Sequence, residues 1–379
     1  MQEFDFQPRT RVIFGAGSLG RLGEVARSLG FRHTLLVADR GLLAAGHVGR
    51  AREFLRAAGI EVFTFHEFDS NPDTASVEAG RAHAAPLGVD SLVGLGGGSS
   101  LDCAKAVNFL LTNGGHMREY RGYGKARESL LPMIGVPTTA GTGSEAQSYA
   151  LISDAETHDK MACGDAGAAF RAVLLDPSLT LSQPREVTAV SGFDAVAHAV
   201  ETFVSTRRNP LSEVYSREAW RLLEGTYERV LARPLDVEAR AAMQLGAYFA
   251  GAAIESSMLG AAHACANPLT ARHGTEHGRA LAALLPSVVR WNSAEAGERY
   301  DELMNLSGGR RASDAGESLA RRLEDLIEVG GLAGGVSSFG VSREELPALA
   351  LDAAGQWTGR FNPRRFDAKG AVEVYECAY

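Results

Sequence analysis

The chain has 379 residues, a hydrophobic content of 45% and a net charge of -8, with a pI near 5.7. This length is enough for two domains with separate cores. The acidic balance argues against a nucleic acid or an anionic membrane as partner, because both need clustered lysine and arginine. Cys103, Cys163, Cys265 and Cys377 are widely spaced, which predicts reduced thiols and a cytoplasmic location. Without a signal-peptide pattern or an apolar run of bilayer length, we expect a soluble protein.

Up to about residue 180, short β-rich runs alternate with helical patterns. The predicted strands cover residues 11–14, 34–38, 62–65, 92–95, 133–136 and 173–175. Such alternation predicts a mainly parallel sheet with helical crossovers, whose ligands gather at the carboxyl ends of the strands. Beyond residue 182 the pattern is helical, with no convincing strand. We therefore predict an α/β domain over residues 1–182 and an all-α domain over residues 183–379.

The first strand leads into GAGSLG at 15–20, which fits the GxGxxG dinucleotide fingerprint. A lone fingerprint is weak evidence, and a turn that opens a helix is the other interpretation. Asp39 follows the second strand at about the expected distance. A carboxylate there accepts hydrogen bonds from a ribose diol and repels a 2′-phosphate, which favours NAD over NADP; a solvated loop acid is the alternative.

A better phosphate cradle follows the fourth strand, in GLGGGSSLDCAK at 94–105. Gly96, Gly97 and Gly98 let the backbone approach a pyrophosphate closely, and the next helix begins with unpaired N–H groups and a positive dipole end. A flexible connection between strand and helix is the structural alternative. Asp102 is either an ordinary acid of the first helical turns or a carboxylate that orders this loop.

The fifth strand is followed by PTTAGTGSE at 137–145, which is rich in hydroxyl groups and glycine. This segment has two interpretations of equal weight. In the first interpretation the segment closes over a nucleotide. In the second it is a capped turn, with Ser144 at the N-cap of a helix.

Four side chains of the second half offer a divalent metal one carboxylate oxygen and three imidazole nitrogens. Asp194 and His198 are four residues apart, which places them on one face of a helix. His263 and His277 lie further along the chain. Each histidine alone is typical of a core or surface position. Together, the four predict a mononuclear metal site.

These motifs, taken in order, resemble the iron-containing, or group III metal-dependent, alcohol dehydrogenases nearly end to end. Further markers are SNP at 70–72, FDAVAHAVE at 193–201, AAHACANPL at 261–269, EHGRALAALLP at 276–286 and NPR at 362–364. The resemblance implies a dehydroquinate-synthase-like fold. Its N-terminal α/β domain binds the dinucleotide, its helical C-terminal domain is metal-binding and catalytic, and a cleft between them holds cofactor and metal. It also implies a homodimer.

Carried over by position, the resemblance makes Asp194, His198, His263 and His277 the ligands of Fe(II) or Zn(II), with His263 and His277 in the catalytic centre. It assigns cofactor binding to Asp39, Asn71, Gly96, Gly97, Gly98, Ser99, Asp102, Thr138, Thr139, Thr142, Ser144 and Lys160. Lys160 resembles the family's lysine near the nicotinamide, although a surface lysine is nearly as good an interpretation.

One departure from the family pattern concerns proton transfer. Many members carry a histidine where this chain has Asn267, and an amide does not titrate at working pH. His273 offers three interpretations. It replaces the family histidine in transferring the alcohol proton, it is an alternative metal ligand, or it has no catalytic function. All three interpretations stay open.

The function predicted from these residues is NAD(H)-dependent interconversion of a small alcohol and its aldehyde or ketone at a divalent metal. One alternative is a metal-independent reductase that resembles maleylacetate reductase. Another is a nucleotide-binding protein without activity, whose metal site is vestigial.

Overall fold

The computed structural model describes residues 4–306, 308 and 315–379, and this part of the chain divides into two compact units. They comprise Phe6–Gln183 and Pro184–Tyr379. The sequence SGGRR at 307–311 predicts a break between helices, and apart from Gly308 it lies outside the described residues. Within the described ranges, no helix is both long and apolar enough to cross a membrane.

The first unit is built on a parallel sheet. Its described strands are β1 Arg11–Phe14, β2 His33–Val37, β3 Glu61–Phe65, β4 Ser91–Gly96, β6 Met133–Pro137 and β9 Ala172–Leu175, in the spatial order β1-β9-β6-β4-β2-β3. The six predicted strands are thus confirmed, with ends within one residue. β4 and β6 are buried along their whole length, as expected for a parallel sheet covered on both faces.

A small second sheet in this unit was not predicted from the sequence. It consists of β5 Gly122–Tyr123, β7 Tyr149–Ser153 and β8 Lys160–Gly164, with β7 antiparallel to β8. The hairpin of β7 and β8 lies directly after the PTTAGTGSE segment. It therefore brings residues from both strands to the ends of the main sheet strands.

The helices of this unit are α1 Leu22–Ser28, α2 Gly41–Ala44, α3 His47–Ala57, α4 Thr74–Ala84 and α5 Gly98–Asn113. The chain leaves β2 toward β3 but leaves β4 in the opposite direction, toward β6. A crevice therefore opens beyond the carboxyl ends of β2 and β4, the usual ligand position in open α/β sheets. The residues that follow these two strands are Asp39 and the glycine loop at 96–98.

The described residues of the second unit form helices and connecting loops and no strand, as predicted. Its helices are α6 Arg185–Val204, α7 Pro210–Ala232, α8 Val237–Ser256, α9 Ala261–His273, α10 His277–Leu306, α11 Ala315–Gly330, α12 Leu346–Gly355 and α13 Ala368–Cys377. α6 packs against α7, α8 and α10 and is buried almost all round, as is typical of a central helix. Polar side chains on α6 therefore need partners inside the unit.

Candidate functional site

One face of α6 carries three buried polar side chains. Asp194, His198 and Glu201 follow one another at steps of four and three residues, which aligns them along the helix. Each of these residues is at most 6% exposed. Burial at this level is costly for a carboxylate unless a cation or a set of donors compensates it.

Two imidazoles from other helices converge on Asp194. Among the described residues, Asp194, His263 and His277 form a group whose ligand atoms all lie within 4.8 Å of one another. His263 lies in the first turn of α9, and His277 is the first residue of α10. The sequence places these ligands 69 and 83 residues after Asp194, so only the helix packing brings them together.

The distances around Asp194 fit a shared ion better than hydrogen bonds. Its Oδ1 lies 3.2 Å from His198 Nε2 and 3.5 Å from His263 Nε2. Two ligands of one tetrahedral zinc-like ion are about 3.3 Å apart, given bond lengths near 2.0–2.1 Å. Within the described residues, neither Asp194 Oδ1 nor His263 Nε2 has a partner in hydrogen-bond geometry. The residues present therefore fit a divalent metal.

His198 and His277 complete the predicted set. The His198 ring stacks on that of His263, with centroids 4.8 Å apart. The rings of His263 and His277 are 5.3 Å apart. The four residues predicted as ligands are thus neighbours in the second unit, although His198 is outside the tightest group.

Glu201 was not singled out from the sequence, although it ends the FDAVAHAVE motif. Its Oε2 is in close contact with His263 Nδ1, and its Oε1 accepts a 2.7 Å hydrogen bond from the Ala262 N–H. A carboxylate at Nδ1 favours the tautomer that leaves the Nε2 lone pair free for a metal. The signal in the sequence was the spacing, since Glu201 is three residues after His198.

The electrostatics of this cluster favour a cation. Burial raises the pKa of the Asp194 carboxyl, but the imidazoles of His198, His263 and His277 outweigh it and hold the pKa below its usual range. Burial lowers the pKa of His263, yet Glu201 and Asp194 overcome this and raise it to about 9. A metal bound by His263 would therefore displace a proton.

In the first unit, a pocket gathers seven of the residues predicted to bind the cofactor. They are Asn71, Gly98, Ser99, Asp102, Thr142, Ser144 and Lys160. The pocket is also lined by Pro72, Gln147, Tyr149, Leu151 and Ser153, which are not among the residues predicted to bind the cofactor. Lys160 is the first residue of β8, and its position in the lining makes the start of this strand part of the pocket wall. Asp39, Gly96, Gly97, Thr138 and Thr139 lie outside this lining.

The two glycine-rich loops of the pocket pack closely on each other. A Cβ at Gly98 would lie 2.7 Å from both Oγ1 and Cγ2 of Thr142, so a larger residue would require one of the two loops to shift. Gly97 faces Thr139 in the same way, at 3.3 Å. Gly98 is the first residue of α5, so backbone N–H groups of that helix end lie beside the pocket.

The buried Lys105, which was not among the predicted site residues, connects two segments that line the pocket. Lys105 Nζ donates to the Ser144 carbonyl and hydroxyl at 2.8 and 2.9 Å, and to the Tyr149 carbonyl at 2.7 Å. Asp102 accepts from the Ser144 hydroxyl and, at 3.1 Å, from the Leu151 N–H. Asp102 thus orders the loop, and Ser144 contacts Asp102 and Lys105 instead of capping a helix.

Asp39 reaches the glycine loop from β2. Its carboxylate accepts a 2.9 Å hydrogen bond from the Ser100 hydroxyl. Its backbone N–H in turn donates to Ser100 Oγ at 3.0 Å. This contact connects the ends of β2 and β4 across the crevice, where a dinucleotide would bind in a sheet of this topology.

Comparison with known proteins places the chain in a family. Residues 8–177 match the family model of iron-containing alcohol dehydrogenases, and residues 188–379 match that family's C-terminal model. An NAD-dependent methanol dehydrogenase from Bacillus methanolicus is 30% identical, over 98% of this chain and 99% of its own length. The chain belongs to the iron-containing alcohol dehydrogenase family. Membership makes it an oxidoreductase.

Similar structures support the same conclusion for the fold. The solved structure of a 1,3-propanediol oxidoreductase has a TM-score of 0.96 at 30% identity, with 100% of both chains covered. A further relative found by sequence, a lactaldehyde reductase from Escherichia coli K12, is 29% identical over 97% of each chain. The family resemblance and the fold class expected from the motifs are therefore confirmed.

Two residues near the departure from the family pattern are engaged elsewhere. The Asn267 side chain donates a 3.1 Å hydrogen bond to Gln356 Oε1. His273 Nε2 lies 3.6 Å from Glu345 Oε1, and His273 is not in the group of Asp194, His263 and His277. This placement gives no support to His273 as an alternative ligand.

The GAGSLG loop has its backbone donors occupied within this unit. Asp176, which is fully buried, accepts from the N–H groups of Gly17 at 2.9 Å and Leu19 at 3.0 Å. It also accepts from the Ser178 N–H at 3.0 Å. A carboxylate therefore occupies the position that a phosphate takes in a working fingerprint loop. This geometry favours the interpretation of GAGSLG as a structural turn.

We predict that Asp176→Ala destabilises the protein even in the absence of cofactor and metal. The N–H groups of Gly17 and Leu19 lose their acceptor, which costs about 3 kcal/mol in the free energy of unfolding. Urea denaturation of both proteins measures the difference. The exposed Asp69→Ala is a control and is expected to change stability by less than about 0.5 kcal/mol. Equal stability of Asp176→Ala and the unmodified protein would contradict this account of the loop.

Proposed function

We propose that the chain is an NAD(H)-dependent dehydrogenase that interconverts a small alcohol and its aldehyde or ketone, with a divalent metal held by Asp194, His198, His263 and His277. The observation that carries the proposal is the convergence of the buried Asp194 Oδ1 and His263 Nε2, which lie 3.5 Å apart without a hydrogen bond. Such a pair is explained by an ion that binds both atoms.

The charge of the cluster supports a dication. Asp194 and Glu201 bring two carboxylates into the same buried region, and a 2+ ion balances them. Imidazole and carboxylate ligands suit both Fe(II) and Zn(II). When bound, such an ion would polarise a carbonyl oxygen and make an alcohol hydroxyl easier to deprotonate.

The protein's own residues prepare this site before any substrate arrives. Glu201 holds the His263 ring in one orientation, and burial of Asp194 limits the access of water to its carboxylate. The chain therefore contributes ligands that its own contacts already hold in place. Preorganisation of this kind supports binding and catalysis alike.

The pocket of the first unit supports the cofactor assignment. The N-terminus of α5, which begins at Gly98, and the hydroxyls of Ser99 and Thr142 offer donors to a diphosphate. A nicotinamide cofactor supplies the hydride chemistry, and the protein supplies binding and orientation. The Asp39 carboxylate at the end of β2 favours NAD over NADP. The name of the methanol dehydrogenase relative agrees with this preference.

The names of the relatives also bear on substrate size. They include a methanol dehydrogenase, a 1,3-propanediol dehydrogenase and a lactaldehyde reductase, all of which point to short substrates. The complete metal-ligand set argues against a metal-independent reductase. Metal analysis, combined with titrations of NADH and NADPH and an alcohol and aldehyde screen, separates the proposed function from both alternatives.

We predict that Asp194→Ala loses bound metal and dehydrogenase activity together. The substitution removes the oxygen that lies within 3.5 Å of two imidazole nitrogens. NADH binding, measured by fluorescence titration, should remain, because the pocket residues lie in the other unit.

A matched control for this variant is Asp236→Ala. Asp236 caps the first turn of α8 through the Ala239 N–H and lies in the same unit as Asp194. Its loss costs about 1 kcal/mol of stability and should leave metal content and activity in place. Full activity and full metal content in Asp194→Ala would refute the proposed site.

We predict that Gly98→Ala weakens NADH binding about tenfold, equivalent to about 1.4 kcal/mol. The added Cβ would meet the Thr142 side chain at 2.7 Å and force the two loops of the pocket apart. The matched control is Gly225→Ala on α7, where a Cβ meets nothing within 4 Å. This control should gain up to about 1 kcal/mol of helix stability with unchanged NADH affinity. Unaltered NADH affinity in Gly98→Ala would contradict the assignment of this loop.

A further inference from the structure

The first turn of α9 is held by side chains from outside the helix. Gly260, the residue before α9, has no side chain to cap the exposed N–H groups. The Ala261 N–H instead donates to Asn362 Oδ1 at 3.2 Å, and the Ala262 N–H donates to Glu201 Oε1 at 2.7 Å. His263 is the next residue, so both contacts act on the backbone of a proposed metal ligand.

The absence of a side chain at position 260 is what admits these two groups. A Cβ at Gly260 would lie 2.9 Å from Asn362 Oδ1 and 3.1 Å from Glu201 Oε1. Both are closer than ordinary van der Waals contact. Glycine at this position therefore lets an amide and a carboxylate reach the same helix end, where the dipole also favours a negative charge.

Asn362 is itself fixed in one orientation. It exchanges two hydrogen bonds with Asn292 of α10, at 3.1 and 2.8 Å, and its Nδ2 also donates to the Arg364 carbonyl at 2.8 Å. Asn292 and Asn362 are both buried. Because the amide nitrogen faces these acceptors, only the oxygen is left for Ala261.

Glu201 uses its two oxygens for different tasks. Oε1 binds the Ala262 N–H, and this leaves Oε2 against His263 Nδ1. A carboxylate cannot donate, so Nδ1 keeps its proton, and the proton that a metal displaces is the one on Nε2, whose lone pair then faces the ion. His263 Nε2 is buried, and among the described residues it has no hydrogen-bond partner.

We propose that Glu201 and Asn362 form a clamp on the first turn of α9 that fixes His263 with Nε2 directed at the metal. The clamp rests on the proposed metal site, and both members are positioning residues. It gives a function to the NPR sequence at 362–364, to which the proposed reaction assigns no part.

The test measures metal affinity, with Co(II) as probe. Apo protein is prepared with a chelator, and Co(II) is titrated in while its visible absorption and binding heat are recorded. The unmodified protein should bind one ion per chain. Glu201→Gln and Asn362→Ala should bind about 10–100-fold more weakly, the usual effect of removing a group that orients a ligand.

Glu201→Gln is the sharper variant because it keeps the size of the side chain. Its amide oxygen still accepts from Ala262, but its NH2 group then faces His263 Nδ1. Nδ1 must accept, the proton moves to Nε2, and the lone pair for the metal is lost. A purely structural function of Glu201 would leave Co(II) affinity and the Co(II) spectrum unchanged.

The matched control is Asn209→Ala. Asn209 caps α7 through the N–H groups of Leu211 and Ser212, so its loss also removes an asparagine cap from a helix of this unit. Its Co(II) affinity should equal that of the unmodified protein. If Asn362→Ala fails to fold, as seen by circular dichroism, Gly260→Ala is the second variant. Its Cβ would lie 2.9 Å from Asn362 Oδ1 and 3.1 Å from Glu201 Oε1, so both groups must withdraw from the helix end and Co(II) should bind more weakly.

The outcomes separate the clamp from the site itself. Failure of the unmodified protein to bind Co(II) would reject the proposed metal site. Tight binding by the unmodified protein, with equal affinity in Glu201→Gln or in a folded Asn362→Ala or Gly260→Ala variant, would overturn the clamp alone.

Discussion

The burial of two carboxylates beside three imidazoles is the constraint on which the helical unit depends. Asp194 and Glu201 are ionisable groups on a helix that is buried almost all round, and an uncompensated charge there would strongly disfavour the fold. Glu201 is satisfied by the Ala262 N–H and by His263. Asp194 has imidazoles around it at distances typical of ligands of one ion. The packing of α6, α9 and α10 is therefore also the construction of the site.

The partners of the backbone N–H groups distinguish the two glycine-rich sequences of the α/β unit, GAGSLG at 15–20 and the loop at 96–98. Both resemble phosphate loops, yet the carboxylate of Asp176 occupies the N–H groups of the first. The second loop starts α5 beside a pocket, in the crevice beyond β2 and β4. Accounting for where each N–H donates thus distinguishes a structural turn from a candidate binding loop, which the glycine spacing alone does not do.

Much of this organisation could be predicted from the sequence, for identifiable reasons. Continuous apolar runs bounded by turn residues predicted the six strands of the main sheet, since buried parallel strands are uniformly apolar. The four-residue spacing of Asp194 and His198 predicted a shared helix face. The hairpin of β7 and β8 escaped prediction because its strands are only partly buried, so their pattern resembles a loop.

The missed residues depend on contacts distant in the sequence. Glu201 looks like a surface acid until α6 is known to be central, and Asp176 pairs with Gly17 across 159 residues. The importance of Asn362 comes from its contact with Ala261, 101 residues earlier. Lys105 follows the glycine loop, but its partners Ser144 and Tyr149 lie 39 and 44 residues later in the chain. No local periodicity carries such information.

The central claim is that separate helices supply ligands to one ion, and anomalous X-ray diffraction at the zinc edge, on crystals grown with Zn(II), tests it most directly. The account predicts an anomalous peak at about 2.0–2.2 Å from Asp194 Oδ1 and His263 Nε2, with His198 and His277 completing the coordination. A peak elsewhere, with Asp194 and His263 beyond bonding reach of any ion, would contradict it.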